Sequence, residues 1–288
     1  MFLARIADKR MKLADVYDAL NCLLGTPTRV SRETYTRTET GFREHTIPWL
    51  DEINVFVAPD AHVLILGCGT GVEIEWFARR CASVVAVDVD SSEIEKAIER
   101  NAGLPNVSCV LVDDCTLPFK DNEFDLVFMH NVCEHIINIE ECFAEYFRII
   151  KPGKILINAF APLFYSPYGA HLQDALKMPW GHLIFGLQVV VDVRNRYYPG
   201  HLKASNWAGL GLNRITERRY RKIVKNTGFR DRLYVIQTSK DLPLVSRIPF
   251  LRNLFIMGIK NILVKPLQKD RAASKRSCHR TGLRPHSL

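Results

Sequence analysis

The sequence predicts a doubly wound α/β fold, in which one sheet of seven mostly parallel strands carries helices on both faces. From residue 62 onwards, short apolar runs of strand length alternate with longer segments of helical periodicity. The runs are continuously apolar, as expected for parallel strands that helices cover on both sides. A glycine-rich turn at residues 67–71 directly follows the first run. Strand–helix alternation at this spacing also predicts right-handed crossovers between the strands.

Seven segments carry the strand pattern. They are residues 62–66, 83–87, 107–112, 124–129, 155–159, 232–238 and 261–264. The motif Lys151-Pro152-Gly153 predicts a turn immediately before the fifth strand.

Helical periodicity fills the intervals between the strands, at residues 72–81, 91–100, 140–150 and 217–225. We expect Ser91 or Ser92 to cap the second of these helices and Gly228 to end the last. Two further helices are predicted ahead of the sheet, at 12–24 and 48–56.

The chain divides into three predicted parts. Residues 1–50 form a helical and irregular N-terminal cap, residues 51–266 the α/β domain, and residues 267–288 a basic, disordered tail. Residues 160–212 lose the alternation and are rich in aromatic residues, glycine and proline. A plain connector is much shorter than this, so we predict a substrate lid inserted between the fifth strand and the following helix.

The net charge of +8 is concentrated in the tail. Residues 265–288 hold seven lysines or arginines and one acid, which leaves the rest of the chain nearly neutral. A basic tail is usually solvated, so no stable complex with nucleic acid is expected.

Composition also bounds the cellular setting. No stretch approaches the roughly 20 apolar residues of a transmembrane helix, and the first residues lack the apolar core of a secretory signal. The eight cysteines contain no Cys-x-x-Cys pair. We therefore expect free thiols and a cytoplasmic location, without a disulfide framework or a structural zinc site.

The glycine turn suits a ligand that approaches the backbone closely. Ligands of open α/β sheets lie outside the carboxyl ends of the strands, where the strand order reverses. Side chains at Gly67, Gly69 or Gly71 would block that approach. The pattern differs from the dinucleotide fingerprint, because Val72 occupies the place of its last glycine, and it lacks the Gly-Lys-Ser/Thr of a phosphate loop.

Acidic residues follow the next two strands, at the strand ends where a ligand of the glycine turn would lie. Asp88 ends the second strand, where it is placed to accept hydrogen bonds from two ribose hydroxyls. Asp113 or Asp114 follows the third strand, where either could meet an adenine amino group. Together with the glycine turn, these acids predict a site for an adenine nucleoside.

At this point the sequence resembles the class I S-adenosylmethionine-dependent methyltransferases, which have a Rossmann-like sheet. The matching stretches are residues 63–71, 84–88, 117–127, 134–135 and 149–153. They occur in the family's order, and the helix–Gly–Phe–strand ending extends the match to about residue 266. The resemblance implies S-adenosylmethionine as cofactor and says nothing about the methyl acceptor.

The resemblance also assigns the residues of the cofactor site. It implies that the turn holds the amino acid part of the cofactor, that Asp88 holds the ribose, and that Asp113 rather than Asp114 meets adenine. The predicted cofactor-binding residues are Gly67, Cys68, Gly69, Gly71, Asp88, Val89, Asp113, Asp114, His130 and Asn131.

One departure concerns the ammonium end of the cofactor. The family usually has an acid two residues before the first glycine, where this chain has Ile65. We therefore expect weaker binding or another group in that role.

Methyl transfer mainly requires alignment of the acceptor, and a general base assists when the acceptor is a hydroxyl or a protonated amine. The predicted catalytic residues are His171, His135 and Asp174, where Asp174 would orient the ring of His171. His182 and His201 are weaker candidates, more simply explained by packing.

A metal is not expected at the fourth strand. Related ubiquinone-biosynthesis O-methyltransferases bind a divalent ion through a Glu-x-x-Glu-His run. The end of that run is present here as Glu134-His135, but Asn131 replaces its first glutamate.

Two further segments have open interpretations. The N-terminal segment with Tyr35, Arg37, Phe42 and Trp49 is predicted to form a second cover over the cofactor. Residues 244–264 are basic and amphipathic, which suits either a membrane surface or, as we prefer, the connection between the last two strands.

The sequence thus predicts a cytoplasmic S-adenosylmethionine-dependent methyltransferase of a small molecule, with oxygen as the first choice of acceptor atom. The alternatives are transfer to nitrogen, transfer to protein or RNA, and a cofactor-binding regulatory subunit without activity.

Overall fold

A computed structural model describes residues 12–25, 46–113, 115–171, 176–197, 203–238, 248 and 251–267. It contains one seven-stranded sheet in the order β3-β2-β1-β4-β5-β7-β6. The strands are β1 His62–Leu66, β2 Ser83–Asp88, β3 Val107–Leu111, β4 Phe124–His130, β5 Ile150–Phe160, β6 Arg230–Thr238 and β7 Ile256–Val264. The first five are parallel, and β7 runs antiparallel to both β5 and β6. The prediction of seven mostly parallel strands is confirmed.

The helices lie between the strands and ahead of them. Numbered in chain order they are α1 Leu13–Leu24, α2 Ile47–Ile53, α3 Ile74–Ala78, α4 Ser91–Asn101, α5 Ile139–Ile149, α6 Gly181–Tyr197, α7 Glu217–Thr227 and α8 Arg252–Phe255. None of the helices in this described part of the chain is long and apolar enough to span a membrane.

The alternating side chains of the strands fill two cores, one on each face of the sheet. In β1, Leu64 and Leu66 join the cluster under α5 and α7, whereas Val63 and Ile65 join the cluster under α2, α3 and α4. All four are at most 3% exposed. Burial on both faces of the sheet explains why the sequence of β1 is a continuous apolar run.

Several predicted boundaries are wrong, each for a local reason. The cap of α4 is Asp90, whose Oδ1 accepts from Ser92 N at 2.8 Å, and neither Ser91 nor Ser92 fills that role. The first sheet helix shortens to Ile74–Ala78, because the glycine turn extends into its first residues. The strand β7 begins at Ile256, earlier than predicted.

The turn at Lys151-Pro152-Gly153 lies inside β5 and does not precede it. Ile150 pairs with Phe124 of β4, and the next pair is Ile155 with Leu126. The intervening residues form a bulge in which Gly153 has a φ of 80°.

The insertion contains the long helix α6, which the sequence pattern did not reveal. Its apolar residues do not keep to one face, since Ile184 is 63% exposed, and Gly186, with a φ of 77°, breaks the helix internally, so no clear helical period appears. α1 packs on it: the rings of Tyr17 and Phe185 stack at 4.7 Å, and Arg196 pairs with Asp15 and Asp18 at 2.7 and 2.8 Å. The N-terminal cap therefore covers the insertion.

The expectation of free thiols is wrong for one pair. Cys115 and Cys142 form a disulfide with a Cα–Cα distance of 4.6 Å. The turn after β3 brings Cys115 against α5, a proximity that their separation of 27 residues does not disclose. Cys22, Cys68, Cys81, Cys109 and Cys133 are free among the described residues.

A buried polar network joins α7 to the centre of the sheet. The Tyr220 hydroxyl accepts from Asn158 Nδ2 at 2.9 Å and donates to Asn261 Oδ1 at 3.0 Å. All three residues are at most 2% exposed, so a lost bond cannot be replaced by bulk water.

We expect Tyr220→Phe to lower the free energy of unfolding by about 1–3 kcal/mol, because both asparagines lose a buried partner. Urea denaturation followed by circular dichroism measures the change. Tyr165→Phe is the matched control, since its hydroxyl only accepts an exposed bond from Arg214, and it should change stability by less than about 0.5 kcal/mol. Equal effects of the two substitutions would contradict the importance of the network.

Candidate functional site

The glycine turn lies at the carboxyl end of β1, between β2 and β4, where the strand order reverses. Gly67, Gly69 and Gly71 have φ values of 63°, 51° and 75°, a conformation that other residues rarely adopt. Cys68 N donates to Val87 O of β2, and Gly71 N donates to Cys68 O, both at 3.0 Å. The backbone therefore curls over the sheet edge at the usual ligand position of open α/β sheets.

Two of the glycines permit close packing of neighbouring elements. A Cβ on Gly67 would lie 2.4 Å from Cγ2 of Val132, in the loop after β4. A Cβ on Gly71 would lie 2.7 Å from Nδ2 of Asn101. Asn101 itself donates to the carbonyl oxygens of Gly71 and Ala97 at 3.2 and 2.9 Å, which braces the turn. The sequence did not indicate that Asn101 supports the glycine turn, because an asparagine at the end of a helix is common.

Asp88 ends β2 and is held rigidly beside the turn. Its Oδ2 accepts from Gly69 N at 2.8 Å and its Oδ1 accepts from Asp90 N at 3.0 Å. Each carboxylate oxygen has a further lone pair. The orientation of Asp88 thus suits acceptance of hydrogen bonds from ligand hydroxyls.

The predicted adenine side of the site is open to solvent. Val89 is 65% exposed, although valine is usually buried, and Asp113 is exposed and forms a bridge with Thr116. Asp114 lies outside the described residues, so the preference for Asp113 stays a prediction.

His130 and Asn131 lie across the switch point from the turn. Leu66 of β1 pairs with Met129 of β4, so Gly67 and His130 are level at the sheet edge. Asn131 has a φ of 53° and donates its N–H to Ala159 O of β5 at 2.8 Å. The chain therefore turns sharply on leaving β4.

Glu73 is a residue of this edge that the sequence analysis did not select. It follows the glycine turn, is 3% exposed, and places Oε1 2.8 Å from Nδ1 of His130. The ring of Trp49 lies 5.0 Å from that of His130 and 5.3 Å from that of Phe128. Trp49 of the predicted N-terminal cover therefore reaches this edge, whereas Tyr35, Arg37 and Phe42 lie outside the described residues.

The structure brings together the two predicted catalytic histidines, which come from separate segments. The ring centroids of His135 and His171 are 4.8 Å apart. His135 Nδ1 lies 2.7 Å from Gly211 O, and His171 Nε2 lies 2.9 Å from Pro162 O. A carbonyl oxygen only accepts, so these nitrogens carry the hydrogens, and His135 Nε2 and His171 Nδ1 keep their lone pairs.

Desolvation by the surrounding protein groups lowers the pKa of both imidazoles, although the His135 side chain is partly open to solvent and His171 is half-buried. The pKa of His171 falls to about 4, with a further contribution from the neighbouring His135. Glu134 is buried beside them, so the three residues place one metal-ligating atom each within 4.8 Å of one another. Asp174 and His201 lie outside the described residues.

Residues at the end of the insertion hold the loop that carries His135. Asn213 Nδ2 donates to the carbonyl oxygens of Cys133 and Ile136 at 2.7 and 2.8 Å, and its N–H donates to Glu134 O at 3.1 Å. With Gly211 O on His135, this clamp of residues 211–213 joins the insertion to the sheet edge. No local sequence pattern indicates this clamp, because it depends on contacts between residues about 80 positions apart.

His182 packs inside the insertion, which is the role that we preferred over catalysis from the sequence. It is 3% exposed, its Nε2 donates to Phe164 O at 2.6 Å, and its ring lies 6.2 Å from that of Trp207. Arg214 covers the other side of Phe164, with its guanidinium 5.1 Å from the ring centroid. Burial lowers the pKa of His182.

These features fit a nucleoside that carries an amino acid tail. The turn offers backbone that no Cβ shields, Asp88 offers a fixed carboxylate, and Val89 offers an exposed apolar contact. Glu73 and His130 add polar groups on the opposite side of the turn.

Comparison with known proteins supports this fit. Residues 64–158, which run from β1 into β5, match a family model described as a methyltransferase domain. The chain is 31% identical over 173 residues to demethylmenaquinone methyltransferase of Thermobifida fusca (strain YX), a match that covers 58% of this chain and 67% of that protein.

Another relative covers less of its own length. The chain is 33% identical over 127 residues to phosphoethanolamine N-methyltransferase 1 of Arabidopsis thaliana, which covers 42% of this chain and only 25% of that protein. The similarity to this relative is therefore limited to the methyltransferase domain and does not extend over the rest of that protein.

Among solved structures, geranyl diphosphate C-methyltransferase from Streptomyces coelicolor A3(2), in complex with Mg²⁺, geranyl diphosphate and S-adenosyl-L-homocysteine, has a similar fold. The TM-score is 0.53 at 14% identity, over 85% of this chain and 87% of that chain. The methyltransferase domain that this chain shares with its relatives confirms S-adenosylmethionine as the cofactor.

We expect Asp88→Ala to weaken the binding of S-adenosylhomocysteine about 10- to 100-fold, because a charged acceptor of hydrogen bonds is lost. Isothermal titration calorimetry measures the affinity, and thermal unfolding verifies the fold. Asp90→Asn is the matched control, since it retains an oxygen that can cap α4. Unchanged affinity in a folded Asp88→Ala protein would exclude Asp88 from the site.

The pKa of His171 predicts a pH-dependent stability. Its folded-state pKa of about 4 lies below the ordinary value of 6.5, so the unfolded chain binds more protons between these values. The stabilising contribution is therefore complete above pH 6.5 and is lost as the pH falls towards 4. Urea denaturation at pH 7, 6 and 5 should show a smaller decline for His171→Asn than for the unaltered protein. Equal declines would contradict the burial of a neutral imidazole.

Proposed function

The chain belongs to the class I S-adenosylmethionine-dependent methyltransferases, and we propose that it methylates a hydroxyl oxygen of a small molecule. The observation that carries the proposal is the pair of neutral imidazoles, His135 and His171, beside the cofactor edge of the sheet. Bound S-adenosylmethionine supplies an electrophilic methyl group on a positively charged sulfur. The protein must hold the acceptor in line and receive its proton.

His171 is the base of the proposal. Its Nε2 lies on Pro162 O and carries the hydrogen, so Nδ1 is the nitrogen that would accept the hydroxyl proton as the oxygen forms its bond to carbon and the carbon–sulfur bond breaks. The proton then passes to solvent. The ring of His135 lies against His171, and repulsion between two protonated rings contributes to the lowered pKa of His171.

The weak basicity of His171 favours oxygen over nitrogen. A hydroxyl oxygen becomes strongly acidic as it is alkylated, so a base with a pKa of about 4 can accept its proton. An ammonium acceptor must lose a proton before it can attack, and a base this weak removes that proton poorly.

The insertion gives the proposed pocket its aromatic wall. Phe164 packs edge-to-face against Trp207, with ring centroids 5.1 Å apart, and the clamp at residues 211–213 ties this wall to His135. Closely packed aromatic groups suit a small, partly apolar acceptor better than a macromolecule. We propose that residues 160–212 serve as the substrate lid.

The relatives named above act, by their names, on different acceptor atoms, and the nitrogen of phosphoethanolamine is one of them. Transfer to nitrogen is therefore the second candidate. Transfer to protein or RNA would depend on the basic tail, which lies mainly outside the described residues.

We expect release of S-adenosylhomocysteine with small hydroxylated acceptors, phenols among them, and not with the matching amines. Mass spectrometry detects the methylated product, and NMR distinguishes O–CH₃ from N–CH₃ and C–CH₃. A product methylated only on nitrogen or carbon would overturn the choice of oxygen.

The base is tested by His171→Asn, because asparagine tolerates the φ of 59° at this position. We expect kcat to fall about 10²- to 10⁴-fold, while calorimetry shows unchanged binding of S-adenosylhomocysteine. His62→Asn, at the exposed start of β1, is the control and should retain full activity. Near-normal turnover of His171→Asn would exclude it as the base, and loss of wild-type activity on treatment with EDTA would instead assign Glu134, His135 and His171 to a metal.

A further inference from the structure

The cofactor edge lacks an acid at the end of β1. Ile65 is 2% exposed and belongs to the apolar cluster that also contains Trp49, Phe77 and Phe128. It therefore cannot pair with an ammonium group. Asp88, the acid at the end of β2, is bound to the backbone N–H groups of Gly69 and Asp90 on the other side of the turn.

A carboxylate reaches the same edge from the other end of the glycine turn. Glu73 stands two residues after Gly71, and its Oε1 contacts Nδ1 of His130 at 2.8 Å. The register of β1 and β4 makes His130 level with Gly67. The carboxylate of Glu73 thus lies across the turn from Asp88, near the strand position where Ile65 leaves no acid.

The side chains of Ile65 and His130 also share one face of the sheet. Ile65 pairs with Phe128, and His130 lies two residues further along β4, so its side chain points to the same side as that of Phe128. The ring contacts of Trp49 with both Phe128 and His130 agree with this arrangement. Glu73 therefore approaches the face from which an acid at position 65 would project.

The burial of Glu73 determines how strongly its carboxylate can interact with a positive charge. At 3% exposure its carboxylate has lost most of its hydration, which costs several kcal/mol in general unless opposite charge and hydrogen bonds compensate. His130 fixes its direction through one hydrogen bond. An ammonium group at the turn would add a full positive charge in a region of low dielectric constant, where such a pair is strong.

We propose that Glu73 binds the α-ammonium group of S-adenosylmethionine, in place of the acid that Ile65 replaces, and that His130 positions it. The proposal concerns cofactor binding alone and is independent of the acceptor. It follows that the amino acid end of the cofactor is recognised from the residue before α3 and from the end of β4 in this chain, and not from β1.

The test uses three ligands that differ at the amino acid end. They are S-adenosylhomocysteine, its deaminated analogue, which lacks only the ammonium group, and 5′-methylthioadenosine, which lacks the whole amino acid part. Calorimetry without any acceptor gives each affinity, so failure of the proposed acceptor chemistry does not affect the result.

We expect Glu73→Gln to weaken S-adenosylhomocysteine about 10- to 100-fold and to leave the affinities for the other two ligands within about threefold. In the unaltered protein the deaminated analogue should bind as weakly as S-adenosylhomocysteine binds to Glu73→Gln. Glu75→Gln is the matched control, because Glu75 lies in α3, two residues after Glu73, but is exposed and pairs with Arg79. It should change none of the affinities.

Two further variants protect the test against misfolding. Glu73→Asp keeps the charge but shortens the side chain by one methylene. It should weaken the binding of S-adenosylhomocysteine alone, and less than Glu73→Gln does. Ile65→Asp combined with Glu73→Gln should recover part of the affinity for S-adenosylhomocysteine. Equal weakening of all three ligands in a folded variant, or no weakening of any, would overturn the proposal.

Discussion

The carboxyl ends of β1 and β4 approach each other so closely that a Cβ on Gly67 would lie 2.4 Å from a methyl of Val132. Only glycine therefore fits where the chain leaves β1, and Gly67 also has the positive φ that glycine adopts readily. Asp88 can then reach Gly69 from one side, and His130 and Glu73 meet on the other. The arrangement of the cofactor edge thus depends on the close contact between Gly67 and Val132.

The same loop after β4 connects the cofactor edge to the insertion. It begins at His130, touches the glycine turn through Val132 and carries His135 against His171. Asn213 of the clamp at residues 211–213 fixes this loop through hydrogen bonds to the carbonyl oxygens of Cys133, Glu134 and Ile136. The insertion is fixed in turn by α1, whose Tyr17 stacks on Phe185. The cofactor edge and the proposed acceptor pocket therefore share one loop, which suits a reaction that depends on alignment.

The errors of the sequence-based prediction have a common cause. Asp90 rather than a serine caps α4, the Lys-Pro-Gly turn falls inside β5, and Cys115 bonds to Cys142. Each depends on which backbone groups or side chains are adjacent in space, whereas periodicity reports only whether a residue is buried. The helix α6 escaped detection for another reason, because Ile184 is exposed among the polar residues of its outer face and Gly186 breaks the helix, so its apolar residues show no clear period.

The sequence by itself determined the seven strands, their parallel core, the glycine turn with Asp88, and the methyltransferase family with its cofactor. These features are local: continuous apolar runs report burial on both faces, and glycines at fixed spacing report a turn that must exclude side chains. Only the tertiary structure decided that Glu73 meets His130, that His135 meets His171, and that Asn213 clamps the loop between them. Those partners lie tens of residues apart, and their meeting depends on the strand order and register, which local patterns do not encode.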